Sequence, residues 1–357
     1  MEKSRKSTPL SEREFLNELC SFPSPKLIYS MTTIYIAQPN TELKIQSRQL
    51  QIFQQQKFCF AVPLNRVSQM VILGQHPWSR KAANLALSLH IPVLYFEPDG
   101  NCIEYLNPAN IDAAKYLKVQ MARSQEDEFV HSTAESLVRA KLHNAQVLLR
   151  QLSQEPRHAT VKQVLNLLNR LQDDLPEVKS LAALKNYEET ATSFYHAALS
   201  RLLPDPFCYQ NLGINPIGRL TNLGTALLSQ RIQITLQSLG LDLETGNLHP
   251  DATTRPPLIC DFLTEFGVQI VDALVMNLLV ASLIEPDDFI WFEQGIFLRP
   301  TALELFIQHW DEKLSARVQH LYDGDTSYQQ CLEIQAQEYI GWLLDEQTDY
   351  RPMLLKP

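Results

Sequence analysis

The chain has 357 residues, 45% of them hydrophobic, and a formal charge of -9. That is enough apolar material for two domains with cores of their own, which argues against a disordered chain. The acidic balance argues against a general electrostatic coat for nucleic acid, while leaving room for a local basic groove.

Twenty-one prolines against 11 glycines point to helices punctuated by proline. The six cysteines (Cys20, Cys59, Cys102, Cys208, Cys260 and Cys331) are widely spaced and form no CxxC pair. Zinc binding and a disulfide scaffold are therefore disfavoured, and reduced thiols in a cytoplasmic protein are the simple reading.

In chain order, residues 1–30 are polar and proline-spotted and read as an extension without a signal-peptide core. From residue 31 the texture changes. "TTIYIAQ", "ELKIQ", "QLQIF", "KFCFAVPL", "VSQMVILG" and "PVLYFEPDG" are short runs rich in β-branched and aromatic residues, bounded by turn formers. One helical piece, 79–90, interrupts them. This predicts a small β-rich domain over 31–106, then a linker or hinge over 107–133.

From 134 to 357 the chain reads as helix. Residues 134–152 place Leu137, Ala140, Lys141, Asn144, Val147 and Leu148 at helical spacing. Helices are also predicted over 160–175, 181–203 and 219–240, and from Leu258, Thr301 and Ser327. The apolar run 268–284 contains Asp272 and Asn277 and is short for a bilayer span, so it reads as a buried helix and no membrane is implied. The fold class is α+β, with a small N-terminal β domain before a larger helical one.

Several stretches share their order and spacing with one known family. They are "VPLNRVSQMVILGQHPWSRKAANLALSLHIPVLYFEPDGNCIEYL", the helical "AKLHNAQVLLR", "GIFLRPTALELFIQHWDEKL", "SYQQCLEIQAQEYIGWLL" and the closing "YRP". Over roughly residues 32 to 353 the chain resembles the CRISPR-associated spacer-acquisition integrase, the DNA nuclease of CRISPR adaptation. The resemblance implies an N-terminal β-sandwich, an all-α catalytic-type domain and a homodimer. It implies a small ferredoxin-like partner, and in some relatives a fused reverse transcriptase. It also implies a Mg²⁺- or Mn²⁺-dependent endonuclease that inserts short DNA duplexes, or prespacers, into the repeat array by 3′-hydroxyl transesterification.

The same resemblance nominates the site. Glu188 stands seven residues before Tyr195, an offset of two helical turns that puts both side chains on one face. Without the resemblance, Glu188 and Glu189 would read as a solvated pair. His249 closes "GNLH", and an imidazole suits Mn²⁺ better than Mg²⁺. In "LICDFLTEFG", Asp261 matches the family's helical aspartate, but Thr264 occupies the position where the family has its last acidic ligand. Glu188, His249 and Asp261 are thus the candidate catalytic residues.

Glu265 is the candidate third metal ligand beside Glu188 and His249. On a helix it lies roughly 40° round from Asp261, and Thr264 about 60° the other way. Upstream, Asn215, Gly218 and Thr225 stand where the family pattern has Asp, Asn and Tyr. Lys115, Lys118, Arg123, Arg139, Lys141 and Arg150 are the candidate DNA contacts. The leading reading is an active metal-dependent DNA integrase and endonuclease. The alternative is a catalytically impaired DNA-binding scaffold of the adaptation complex, and a third, more distant, is a helical protein-interaction module with no nucleic-acid role.

Overall fold

The computed structural model describes residues 32–36, 41–46, 49–64, 67–73, 86, 88, 91, 93–96, 102–106, 115–153, 159–204, 207, 216–292, 295–320 and 324–356. The extension 1–30, Asn215 and most of the predicted helix 79–90 lie outside them. The chain divides into two compact units, one of residues up to 109 with 287–303, the other of 110–286 with 304–357.

Among the described residues, the first unit holds seven short strands before residue 109, in two sheets. Strands β1 (Thr32–Ile36), β5 (Val67–Leu73), β6 (Val93–Phe96) and β7 (Cys102–Leu106) form a four-stranded sheet in the order β1-β5-β6-β7. The pairs β1–β5 and β5–β6 are parallel, and β6–β7 is antiparallel. Strands β2 (Thr41–Gln46), β3 (Gln49–Gln54) and β4 (Lys57–Pro63) form an antiparallel meander.

Alternation of apolar and polar residues sends one set of side chains inward. Leu43, Leu50, Ile52 and Val62 of the meander join Ile34, Ile36, Met70, Ile72 and Val93 of the larger sheet in one hydrophobic cluster. The β3–β4 connection is a two-residue loop, Gln55-Gln56, with φ of 49° and 65°. Both residues are left-handed, as a tight hairpin of this length demands, although neither is the glycine or asparagine usual there. A second hairpin, β8 (Phe289–Phe292) with β9 (Gly295–Leu298), is antiparallel and belongs to this unit, although the sequence reading assigned it to the helical domain.

The second unit is mostly helical. It contains α1 (Leu117–Arg123), α2 (Asp127–Leu152), α3 (Ala159–Asp174), α4 (Leu181–Ser200), α5 (Pro216–Ser238), α6 (Pro257–Gly267), α7 (Ala273–Val280) and α9 (Tyr328–Leu343). Helix α8 (Pro300–Ser315) enters it from the other unit's sequence. The expectation of an all-α domain needs correction, because β10 (Arg317–His320) and β11 (Gly324–Ser327) pair as an antiparallel ribbon before α9. Ser327 and Gln330 then form a reciprocal capping box that starts α9.

The predicted linker 107–133 is also corrected over its described part. Helices α1 and α2 occupy it, and the buried Gln120 side chain is bonded to both the N–H and the C=O of Asp242, at 2.8 and 3.0 Å. A linker would not carry a buried amide satisfied this way.

Helix α2 is the axis of the unit and packs against α3, α4 and α6. Its buried face carries Phe129, Leu137, Val138, Leu142, Val147 and Leu149. Between α6 and α7 the helix widens into one π turn, Val268–Asp272. The whole rod Pro257–Val280 is apolar enough to cross a membrane by composition, yet 72% of its most apolar window is buried inside the protein. Of the run 268–284 expected as buried helix, residues 268–280 are core helix, while 281–284 form a turn with 281–283 exposed.

Candidate functional site

The nominated residues all lie in the second unit. Ser180 caps α4, its Oγ accepting from the Ala183 N–H at 3.2 Å, and this fixes where the helix begins. Tyr195 is then buried, and Glu188, two turns earlier on the same face, is nearly so. Glu188 meets Lys141, which reaches across from the middle of α2, in an ion pair. Side-chain exposure is 12% for the glutamate and 18% for the lysine.

Burial pushes the Glu188 carboxyl up, and the charge and hydrogen bond of Lys141, followed by His249, more than offset it, so it sits below its ordinary value. His196 stands beside both partners. Burial and the Lys141 charge hold its imidazole down to about 4, against the opposing pull of Glu188, so the ring is neutral at pH 7.

His249 is placed by its loop. Gly246 lets that loop close onto α6, since a Cβ there would stand 2.7 Å from the Pro257 backbone. Pro257 in the first turn of α6 suits a helix start. The Leu258 N–H donates to the Leu243 carbonyl at 3.0 Å and joins loop to helix.

Asp261, 1% exposed, organises the rest. Its Oδ2 accepts from the N–H groups of Asn247 and Leu248, at 2.5 and 3.3 Å. Its Oδ1 accepts from the His249 N–H at 3.1 Å and faces His249 Nδ1 at 3.2 Å. The carboxylate therefore positions the histidine, fixing both its backbone and its ring. Lys185 on α4 pairs with Asp251 at 3.2 Å, two residues beyond His249. Asp261 thus faces His249, Glu188 feels the charge of His249, and Glu188 is itself paired with Lys141.

Thr264 and Glu265 do not join them as ligands. The Thr264 hydroxyl donates to the Cys260 carbonyl one turn back, at 3.1 Å. Glu265 is fully buried and faces the end of the chain. Its Oε2 accepts from the Tyr350 hydroxyl at 2.6 Å, and its Oε1 from the Met353 N–H at 2.8 Å. Burial pushes this carboxyl up to about 7, even though hydrogen bonds from Tyr350, Met353 and Gln335 favour its charged form.

The expectation that Glu265 replaces the missing ligand is therefore corrected. Its two oxygens are committed to the C-terminal segment. Asn144 reinforces that attachment, donating to the Met353 carbonyl at 3.1 Å and accepting from the Leu355 N–H at 2.8 Å.

Fit to a divalent ion is a question of donors. Hard dications take several oxygen ligands, usually including carboxylates. Here Glu188 is already paired with an ammonium, Asp261 accepts from backbone N–H groups, and the third position offers a neutral hydroxyl. Among the described residues no three His, Cys, Asp or Glu side chains are grouped to hold a metal ion. The donor set does not fit the implied metal.

The basic candidates differ in their company. Lys115, Lys118 and Arg150 are exposed, although Arg150 also donates to Gln146 at 3.1 Å. Arg139 pairs with Glu135, one turn earlier. Arg123 is part of the packing. It pairs with Glu126 and Asp345, donates to the Leu343 carbonyl at 3.3 Å, and lies over the rings of Phe129 and Trp342.

Sequence reasoning missed three things. Lys141 was read as a DNA contact, without its pairing to Glu188. Tyr350 belongs to the closing "YRP", but nothing local marks it as a partner of Glu265. His196 carried no signal beyond following Tyr195.

A family model described as CRISPR associated protein Cas1 matches residues 34–312. The CRISPR-associated endonuclease Cas1 3 of Thermus thermophilus is 27% identical over 299 residues, which are 82% of this chain and 88% of that protein. The fold is similar to a chain of a Cas6-RT-Cas1–Cas2 complex, with a TM-score of 0.80 and 19% identity. That match covers 94% of this chain and 37% of the longer one. It is also similar to a casposase bound to integration product, with a TM-score of 0.75 and 19% identity over 90% of this chain and 93% of that one.

Proposed function

The chain belongs to the CRISPR associated Cas1 family, and from that premise we propose that it acts on DNA during spacer acquisition, as a DNA-binding subunit of a Cas1-type complex whose own strand-joining centre is impaired. The observation that carries this reading lies on α6. Thr264 is bonded to Cys260, and both oxygens of Glu265 are taken by Tyr350 and Met353. The helix thus supplies neither the last acid at its expected position nor a substitute one residue on.

In this reading the DNA is a prespacer duplex or the repeat array, gripped through its phosphates, so affinity falls as salt rises. Lys115, Lys118 and Arg150 are the exposed candidates for that grip. Partners are a second copy of the chain and a small ferredoxin-like subunit. A reverse transcriptase is a further candidate, as the name of the Cas6-RT-Cas1–Cas2 complex suggests for that assembly.

A second reading is favoured by one observation, that Glu188 feels the charge of His249, whose ring faces Asp261. It is an active Mg²⁺- or Mn²⁺-dependent endonuclease and integrase, joining 3′-hydroxyl ends by transesterification. Its curated relatives carry the name endonuclease.

Strand joining of a 3′-hydroxyl duplex into branched DNA, with Mn²⁺ present, separates the two. The first reading expects salt-sensitive binding, with joining at least ~100-fold slower than in Thr264→Glu, since a small misplacement of a reacting group already costs about that much. Wild-type joining that survives Thr264→Ala and is abolished by Glu188→Gln would establish the second. Absence of DNA binding at low salt would remove the DNA role altogether.

A further inference from the structure

We propose that Lys141 is the resident cation of this centre, standing in place of a divalent metal, and that its ammonium holds one DNA phosphate without any metal. The phosphate half of this inference rests on the DNA-binding reading above; the resident-cation half does not. The juxtaposition that carries it is the nearly buried Lys141–Glu188 pair, with His196 and His249 beside it and Asp261 behind His249.

Charge decides the first half. Glu188 is the anion a dication would need most, and Lys141 already neutralises it where both side chains are largely out of solvent. An incoming dication would meet a positive charge, and the attraction that would offset this repulsion has been removed. Thr264 brings no charge, Asp261 is engaged by the N–H groups of residues 247–249, and Glu265 is turned to Tyr350.

Donor counting decides the second half. A lysine ammonium has three N–H donors, and Glu188 takes one. The pair is not sealed from solvent, because the Lys141 side chain is 18% exposed. A phosphate oxygen arriving from solvent finds a fixed ammonium, oriented by the glutamate that pairs with it. An ammonium binds phosphate as a point charge and needs no metal to do so. The arrangement can hold DNA where related centres would be asked to cut it.

The test has a metal arm and a DNA arm, both on the full chain. In the first, Mn²⁺ is titrated and followed by calorimetry and electron paramagnetic resonance. Wild type is expected to show no saturable site up to millimolar metal, and Thr264→Glu combined with Lys141→Met is expected to gain one. A single wild-type Mn²⁺ site of micromolar affinity that disappears in Glu188→Gln would overturn the resident cation.

In the second arm, binding of a short duplex is measured in EDTA and in Mn²⁺. Equal affinities are expected. Lys141→Met should weaken binding about tenfold and lower the log–log salt slope by about one, the change expected for one lost phosphate contact. Lys141→Arg should restore both. Lys141→Met with Glu188→Gln leaves no unpaired buried charge, so the same losses in this double variant exclude a folding defect. An unchanged salt slope in both variants would overturn the phosphate site. Failure of wild type to bind DNA under any condition would fall on the functional reading, while the metal arm would still decide the resident cation.

Discussion

Two carboxylates on one helix have opposite occupations. Asp261 and Glu265 are one turn apart on α6, and both are buried. Asp261 turns to a loop fourteen to twelve residues earlier in the chain and fixes His249 at the candidate site. Glu265 turns to a segment 85 residues later and holds down the end of the chain. A helical wheel places them about 40° apart, close enough to count as one face. The difference teaches that a shared helical face is not a shared site. What each side chain meets depends on which distant segment packs there.

The most damaging way to test this contrast is Asp261→Ala. It strands two buried N–H groups and a part-buried one, the buried ones each worth roughly 1–3 kcal/mol when left unpaired, so a loss of about 4 kcal/mol is expected by chemical denaturation. A loss below about 1 kcal/mol would mean that the loop keeps its shape without the carboxylate.

A somewhat smaller effect should appear on the Glu265 side, through pH. Its folded-state value of about 7 lies above the 4.5 of an ordinary glutamate. The folded protein therefore holds this proton more tightly than the unfolded chain does. The resulting stability is complete below about pH 4.5 and drains away as pH rises towards 7. The loss amounts to roughly 3 kcal/mol. Glu265→Gln imitates the protonated acid and should remove this slope. The readout is the difference in unfolding free energy between wild type and variant from pH 4 to pH 8, and a constant difference would refute the assignment.

The smallest effect expected is that of Gly246→Ala. Its Cβ would press on the Pro257 backbone, which cannot move as a side-chain tip can. A cost of about 2 kcal/mol is expected from overpacking. Nuclear magnetic resonance should show the His249 ring signals shifted and the Glu265–Tyr350 contacts unchanged. Signals moving equally on both sides would break the contrast between the two faces.

Much of the fold was legible. The β-rich runs before residue 106 form strands, because alternation and β-branching suit a half-buried pleated surface. The helices beyond were legible from 3.6-residue periodicity and proline punctuation. The ribbon Arg317–Ser327 escaped because its strands are only four residues long and mostly polar. The hairpin at Gln55-Gln56 lacks the glycine or asparagine that would have announced it. At the site, the resemblance nominates Glu188, His249 and Asp261; Asp261 faces His249, and Glu188 pairs with Lys141. Lys141 and Tyr350 were in view as residues but not as partners, because an ion pair between two helices leaves no local pattern in either.

The order of residues alone settles the family texture, the two-part organisation and the position of Thr264 where an acid is expected. It also places Glu265 within reach of the same face. Only the packed structure assigns the charges to partners: Lys141 to Glu188, Asp261 to the loop of His249, and Glu265 to Tyr350 and Met353. The reason is physical. Helical periodicity is a local property, fixed by residues three and four apart. The neutralisation of a buried charge depends on whichever segment, however distant in sequence, supplies the donor that burial requires.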